Sequence, residues 1–403
     1  MIFTAEVVNE RGERENISYR DGKRRLWLAP FIISAITPLT VAGYFLTGGN
    51  ALATLFPLTY FFVFVPLLDA IVGEDTHNPP EAVVPAMSKD RYYARLLYIT
   101  VGLNYVSFIL SVWLVGTQSL PVWSLIGLAY GVGLLHGNVL NIGHELGHKN
   151  DAFDQFIAKI SNAMVGYGHF CIEHNRGHHV WVSTPEDPAS ARMGESVYSF
   201  ALRELPGTFM RGWEQETIRL RRKGLPVWSF HNDILQGYAI GVALVAAATA
   251  IFGWVVLPFI LLHHFVVWYS LTQANYVEHY GLLRQKKENG KYEPCQPHHS
   301  WNTNHIVSNL LSFHLQRHSD HHANPQRPYQ ALRDFPDLPR LPSGYPGCFG
   351  LAAIPPLWFR VMDPKVIAWA DGDIEKVNLD PAKSDALKAR YGGARMEKDA
   401  APA

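Results

Sequence analysis

Three long apolar stretches, 26–72, 96–143 and 234–277, alternate with polar connections along the chain. Each is about twice the roughly 20 residues that cross a bilayer as a helix. Each also carries a turn signal near its middle. Gly48-Gly49-Asn50 divides the first, Gly116-Thr117-Gln118 with Pro121 the second, and Gly253 with Pro258 the third. The pattern predicts three helical hairpins and six spans, near 26–47, 51–72, 96–116, 121–143, 234–253 and 256–277. The first span begins too far into the chain, and is too long, for a cleaved signal peptide.

Lys and Arg orient these spans. Residues 1–25 hold Arg11, Arg14, Arg20, Lys23, Arg24 and Arg25, and the 73–95 connection holds Lys89, Arg91 and Arg95. The 144–233 connection holds ten more, whereas the three hairpin tips hold none. The positive-inside rule then puts both termini and both long connections in the cytoplasm. The expected organisation is a cytoplasmic segment 1–25 and a six-span domain 26–365. Polar segments 144–233 and 278–365, mainly helix and loop, cap the domain, and a polar tail follows over 366–403. Proline density between Pro325 and Pro364 predicts an irregular packed segment there. The charged, Ala-rich stretch after 366 reads as a solvated extension.

Composition agrees with a membrane protein. Charged residues make up 17% of the 403, well under the roughly 25% of soluble domains. Inside the three apolar stretches the one charged residue is Asp69, near the end of the second span, which reads as interfacial. Lys and Arg balance Asp and Glu at 35 each, which argues against nucleic acid as the main partner. Cys171, Cys295 and Cys348 are far apart. They form no C-x-x-C pair, so the chain has no iron–sulfur or zinc-ribbon centre of its own and no disulfide framework.

Histidine is the unusual residue, with 19 copies. His144-Glu145-Leu146-Gly147-His148 directly continues the fourth span, and its i,i+4 spacing puts both imidazoles on one helix face. A second cluster holds His174, His178 and His179. There i,i+4 spacing aligns the first two, with the third beside them. The third cluster places His318, His321 and His322 at i, i+3 and i+4. The sixth span ends in Asn275-Tyr276-Val277-Glu278-His279-Tyr280-Gly281, which sets His279 at the depth of His144. Nine neutral imidazoles on convergent helices can supply about two metal ions with four or five ligands each. A structural zinc needs four, so two redox irons fit the count better.

The remaining histidines read differently. His263 and His264 read as core residues. So does His136, although it lies eight residues before His144 and could line a path to the metals. His298, His299 and His305 read as surface or loop residues. His314 precedes His318 by four and competes weakly as a ligand. His144-Glu145-Leu146-Gly147-His148 also satisfies H-E-x-x-H, the zinc-protease pattern, with Glu145 as general base. That reading needs one further ligand and leaves about six clustered histidines without a task.

Together H-E-L-G-H-K, E-H-N-R-G-H-H, L-Q-R-H-S-D-H-H and N-Y-V-E-H-Y-G resemble the membrane alkane 1-monooxygenases, which stand with the histidine-box fatty-acid desaturases and xylene monooxygenases. The resemblance covers roughly residues 26–365. It implies an all-α integral membrane protein of six transmembrane helices with a cytoplasmic, helical, histidine-rich di-iron cap, in a bacterial inner membrane. It also implies a non-haem centre of two iron ions that uses dioxygen to hydroxylate the terminal carbon of medium-chain n-alkanes. Electrons would come from rubredoxin, itself reduced by an NADH-dependent reductase, which suits a chain with no cysteine cluster. A fatty-acyl desaturase or hydroxylase shares nearly all of this architecture, and a membrane zinc metalloprotease is the rival from another class. The tail would also suit a link to a fused donor domain.

An unactivated terminal C–H has no acidic proton and no leaving group, so side-chain acid–base or nucleophilic catalysis cannot start the reaction. The protein's part is to hold metals, position the chain end and exclude water. The expected ligands are His144, His148, His174, His178, His179, His279, His318, His321 and His322; how they divide between two irons is left open. Glu145, Glu173, Asp187, Glu278 and Asp320 are candidates to hold ligating rings in the correct tautomer. Membrane lipid supplies the substrate laterally. Tyr60, Phe61, Phe62, Phe64, Leu134, His136, Val139, Trp268 and Leu271 are candidate channel walls. Arg219, Arg221, Arg222, Lys223, Arg317 and Arg333 are candidates to steer an acidic electron carrier.

Overall fold

The computed structural model describes residues 1–392. Six helices among them are long and apolar enough to cross a membrane: Leu26–Leu46, Ala51–Val72, Arg91–Thr117, Val122–Gly147, Asp233–Phe252 and Val256–His279. The fold is that of a helical integral membrane protein, as the hydropathy predicts. The fourth and sixth spans run past their apolar stretches, and so carry His144 and His279 on continuous helix. The third begins earlier than predicted, at Arg91, because Asp90 caps it by accepting from the Tyr92 N–H at 2.9 Å.

The fourth span is the central one; 72% of its most apolar window is buried. Small residues let its neighbours approach closely. A Cβ on Gly131 would stand 2.6 Å from the Leu58 backbone nitrogen of the second span. One on Gly137 would stand 2.6 Å from Ser270 Oγ of the sixth. The histidine-bearing ends of the fourth and sixth spans are thereby held side by side.

Asp69 is buried rather than interfacial. Its Oδ1 accepts from the Ser308 N–H at 2.9 Å and so pins helix Ile306–Leu311 to the end of the second span. Arg317 is likewise buried, donating to the carbonyls of Asp75, His77 and Leu332, which removes it from any carrier-facing surface.

Three segments differ from expectation. Residues 2–20 form an antiparallel hairpin of Ile2–Val8 and Arg14–Arg20. Its period-2 pattern is short, and one large side chain, Phe3, buries fully against the Tyr93 and Met87 cluster. The proline-rich region is not irregular throughout, since Tyr345–Ala352 and Pro355–Trp369 are helices. Pro346 and the prolines opening the second helix occupy first-turn positions, where no N–H is needed. Residues 366–392 are packed, not solvated. Ile374, Val377 and Leu387 bury among Met193, Tyr280 and Trp358. The Met193 N–H donates to the Asn378 carbonyl at 2.7 Å, and the Asn378 N–H donates to Gly281 at 3.0 Å. Apolar residues spaced among many charges hid that face. The rest of the expected tail, 393–403, lies outside the described residues.

Candidate metal centre

At the polar end of the bundle all nine box histidines converge. They form two adjoining groups: His144, His148, His174, His179 and His321, and His178, His279, His318 and His322. Within each group the facing ring nitrogens all lie within 4.8 Å of one another. In the first, His144 Nε2 is 2.8 Å from His321 Nε2, and His179 Nε2 is 2.9 Å from His174 Nε2 and 3.1 Å from His321 Nε2. In the second, His322 Nε2 and His318 Nε2 are 2.8 Å apart. The groups touch where the tilted rings of His179 and His322 stand 4.5 Å apart between centres.

The division corrects the expected helical alignment of the second box. Residues His174–His178 form a π turn between short α segments. The extra residue in that turn brings His174 opposite His179, at i,i+5, and sends His178 to the other group. The third box divides as well, with His318 and His322 on one side of helix His318–Ala323 and His321 on the other. His314 belongs to neither group. Phe313 and His314 adopt positive φ of 48° and 56°, so helix begins only at His318 and the assumed i,i+4 relation does not exist. His314 packs edge-on against Trp27 instead.

The donor chemistry fits metal ions. A neutral imidazole offers one N–H and one lone pair, so four or five ring nitrogens aimed at one point cannot all satisfy each other. His148 Nε2, His178 Nε2 and His279 Nε2 are buried with no hydrogen-bond partner among the described residues. Burial pushes His148 down to about 3, and pushes His174, His179, His318, His321 and His322 well below the ordinary imidazole range. Rings kept neutral are ready ligands. His178 is the exception. Burial lowers it, but Asp187 at 2.9 Å from its Nδ1, with Glu173 beyond, outweighs burial and raises it.

Of the five carboxylates expected to orient ligands, the structure brings two to a ring. Asp187 takes the Nδ1 side of His178 and leaves Nε2 facing its group; it also accepts from Ser190 Oγ at 2.6 Å and Arg211 at 2.7 Å. Glu278 Oε2 lies 3.3 Å from His318 Nε2, and the Tyr345 hydroxyl holds its other oxygen. The other three hold different groups. Glu145 pairs with Lys149 at 2.7 Å and accepts weakly from the Tyr329 N–H at 3.3 Å. Glu173 pairs with Arg211, and Asp320 with Arg327 at 3.0 Å. Glu145 thus makes no hydrogen bond or ion pair with an imidazole among the described residues, although a zinc hydrolase would need it beside a metal-bound water.

An apolar cavity of about 120 Å³ opens beneath the two groups. His144, His174, His318 and Glu278 form its polar end; Ile33, Tyr60, Phe61, Val65, Leu134, Leu271 and Phe349 line it elsewhere. Leu134 lies ten residues before His144, about 15 Å along the helix. Of the expected walls, Tyr60, Phe61, Leu134 and Leu271 line this cavity and five do not. Phe64 is exposed on the outer face, and Phe62 packs with Phe61 near Gly350. Val139 and Trp268 pack into the neighbouring core instead. His136 bonds His263 and Ser107, each at 2.9 Å. Eight residues turn a helix about 80° past alignment, so His136 does not share the face of His144. His299, expected at the surface, is buried and bonded to Glu293 at 3.1 Å. Sequence reasoning missed Arg211, Tyr345 and Asn275 at the site. Arg211 and Tyr345 lie outside the histidine motifs with no local signal to mark them; Asn275 opens the motif that ends the sixth span, but nothing in its spacing gives it a partner.

Comparison with known proteins agrees with this geometry. The sequence profile of the fatty acid desaturase family matches residues 118–349. An alkane 1-monooxygenase of Ectopseudomonas oleovorans is 53% identical over 379 residues, covering 93% of each chain. Alkane 1-monooxygenase 1 of Alcanivorax borkumensis is 50% identical over 386 residues, covering 95% of this chain and 94% of the other. The hydroxylase component of the Pseudomonas putida xylene/toluene monooxygenase is 28% identical over 232 residues, 57% of this chain. With two histidine groups at the polar end of an apolar cavity and near-complete coverage by these relatives, the chain belongs to the alkane 1-monooxygenase branch of the membrane fatty acid desaturase family.

Proposed function

We propose that this protein hydroxylates the terminal carbon of medium-chain n-alkanes to 1-alkanols, using dioxygen and electrons from rubredoxin. The observation that carries the reading is the placement of two imidazole groups, five and four, at the polar end of an apolar cavity. The five-histidine group holds one iron and the four-histidine group the other; bound there, the irons supply the activation of dioxygen that no side chain can. The protein sits in the inner membrane with its termini and the histidine groups on the cytoplasmic side, consistent with the charge distribution.

The chain's own residues do the rest. Asp187 keeps the Nδ1 proton of His178 in place, so that Nε2 presents its lone pair. Leu134, Leu271 and Phe349 give an alkane nothing but apolar surface, so it is positioned by shape and by exclusion from water. The substrate enters laterally from lipid, where it partitions. Residues 1–25 are a cytoplasmic segment, and the segments 144–233 and 278–365 form the cytoplasmic part of the 26–365 domain. Arg221, Arg222 and Lys223 are exposed, and Arg219 is tied to Glu216 and Asp233. The first three, with no ion pair among the described residues, are therefore the better candidates to meet an acidic carrier.

The test is product analysis of purified iron-loaded protein with NADH, reductase, rubredoxin and an n-alkane, run beside a fatty-acyl substrate. The expected product is the 1-alkanol. Desaturated or hydroxylated acyl chains without alkanol would overturn the reading.

A further inference from the structure

A second, small polar cavity of about 10 Å³ lies behind the second box. It shares Phe170, His174, Leu271 and Asn275 with the apolar cavity and extends away from it to Glu204, Tyr167 and His169. Glu204, on helix Val197–Arg222, is 1% exposed. Its Oε2 accepts from Thr272 Oγ1 at 2.7 Å and its Oε1 from Asn275 Nδ2 at 3.2 Å. Both donors are neutral. Glu145, Glu173, Asp187 and Asp320 each hold a cation, whereas Glu204 forms no ion pair among the described residues. A buried carboxyl served by neutral donors alone keeps its proton far more readily than one beside a cation.

Burial pushes Glu204 up to about 7; the Thr272 and Asn275 bonds oppose that and the charges of Glu173 and Asp187 add to it. Tyr167, His169, Glu173, His174 and His178 face the same cavity, and Arg211 holds Glu173 and Asp187. His169 is buried with its Nδ1 2.8 Å from the hydroxyl of half-buried Tyr238, near the start of the fifth span. His169 Nε2 and the Tyr167 hydroxyl are buried without a partner among the described residues. Such atoms call for one, and the cavity has room for about one water.

We propose that Glu204 delivers protons to the metal centre through this small cavity, and that Tyr238 and His169 return them to it from outside. The inference rests on the monooxygenase reading. Hydroxylation consumes an alkane, dioxygen, two electrons from a one-electron iron–sulfur carrier and two protons, and yields the alkanol and water. In each transfer the carboxyl O–H bond of Glu204 breaks. Its proton crosses a water in the small cavity to the oxygen being reduced beside His174. The carboxylate left behind keeps the hydrogen bonds from Thr272 and Asn275. His169 then releases its Nε2 proton toward Glu204 and takes one at Nδ1 from the Tyr238 hydroxyl, which is replenished from solvent; a half-turn of the ring before the second transfer brings the protonated nitrogen back toward Glu204. Glu204 is a positioning residue for protons; it does not touch the irons.

Two measurements test this. In metal-free protein at neutral pH, infrared spectroscopy should show a protonated-carboxyl C=O band that shifts in D2O and is missing from Glu204→Gln. In iron-loaded protein, Glu204→Gln should lower alkanol per electron consumed on the order of 100-fold, with hydrogen peroxide released instead, and Glu204→Asp should restore part of it. His169→Gln and Tyr238→Phe should slow turnover while the band remains. A wild-type spectrum without the band, or a Glu204→Gln protein as well coupled as wild type, overturns the proposal. If Glu204→Gln fails to load iron, Glu204→Asp decides: an acid band with partial coupling supports the route, and wild-type coupling with no acid band overturns it. Wild type that makes no alkanol at all would instead sink the monooxygenase reading, whatever the infrared result.

Discussion

His174 and His179 face each other across a π turn at 2.9 Å, while His178, one residue nearer in sequence, belongs to the other group. One short helix therefore serves both metal positions, and the two should not load independently. His318→Ala leaves the four-member group with three nitrogens, and His179→Ala leaves the five-member group with four. Iron analysis should find the larger loss in His318→Ala, toward one iron per chain or fewer. Equal retention in both variants would contradict the five-and-four division.

Asp187 and Glu145 should differ sharply. Asp187→Asn removes the carboxylate that fixes His178, and partners of this kind typically cost about 10–100-fold in metal affinity or activity. Glu145→Gln loses an ion pair with Lys149 and no bond to an imidazole among the described residues, so alkane oxidation should stay within a few-fold of wild type. Wild type loaded with zinc should cleave no peptide. An iron titration of both variants, with alkanol yields, checks the contrast.

Stability of the metal-free protein should fall as pH falls. Burial holds His148 and His169 at about 3 in the folded chain, whereas exposed imidazole titrates near 6.5. Between those values the unfolded chain binds more protons, so acid favours it; above about pH 7 this contribution is constant. The thermal midpoint in detergent should be level from pH 8 to 7 and drop steadily below 6.5. A flat midpoint down to pH 5 would show that these rings are not held neutral.

The cavity wall should set substrate size. Leu134 and Leu271 both line it. Leu134→Phe adds volume about two helical turns or more below His144. It should shift product formation toward shorter alkanes with iron content unchanged. An unaltered chain-length profile would take Leu134 out of the substrate path.

Much of this site is legible in the sequence because apolar runs and metal ligands are both local signals. Asp69 alone interrupts the three apolar stretches, and three histidine boxes announce their chemistry by spacing. What escapes is whatever depends on exact helical phase or on distant partners. The π turn at His174–His178 adds one residue per turn, and nothing in Asn175-Arg176-Gly177 predicts it. The positive φ of Phe313 and His314 breaks an apparent i,i+4 pair in the same way. Glu173 and Asp187 look alike in sequence and both pair with Arg211, yet only Asp187 also bonds a histidine. The hairpin at residues 2–20 and the packed 366–392 segment carry few apolar residues, so composition reads them as polar ends.

Residues 378–379 lie between two parts of the chain far apart in sequence, bonded to Met193 on one side and Gly281 on the other. The C-terminal segment thus works as a clasp between the connection that carries the second box and the loop that follows the sixth span. A protein shortened to residue 365 would keep all nine histidines and all six spans yet lose that fastening. Any carrier or reporter domain fused to this enzyme is therefore better tethered beyond residue 392 than joined at the end of the last box.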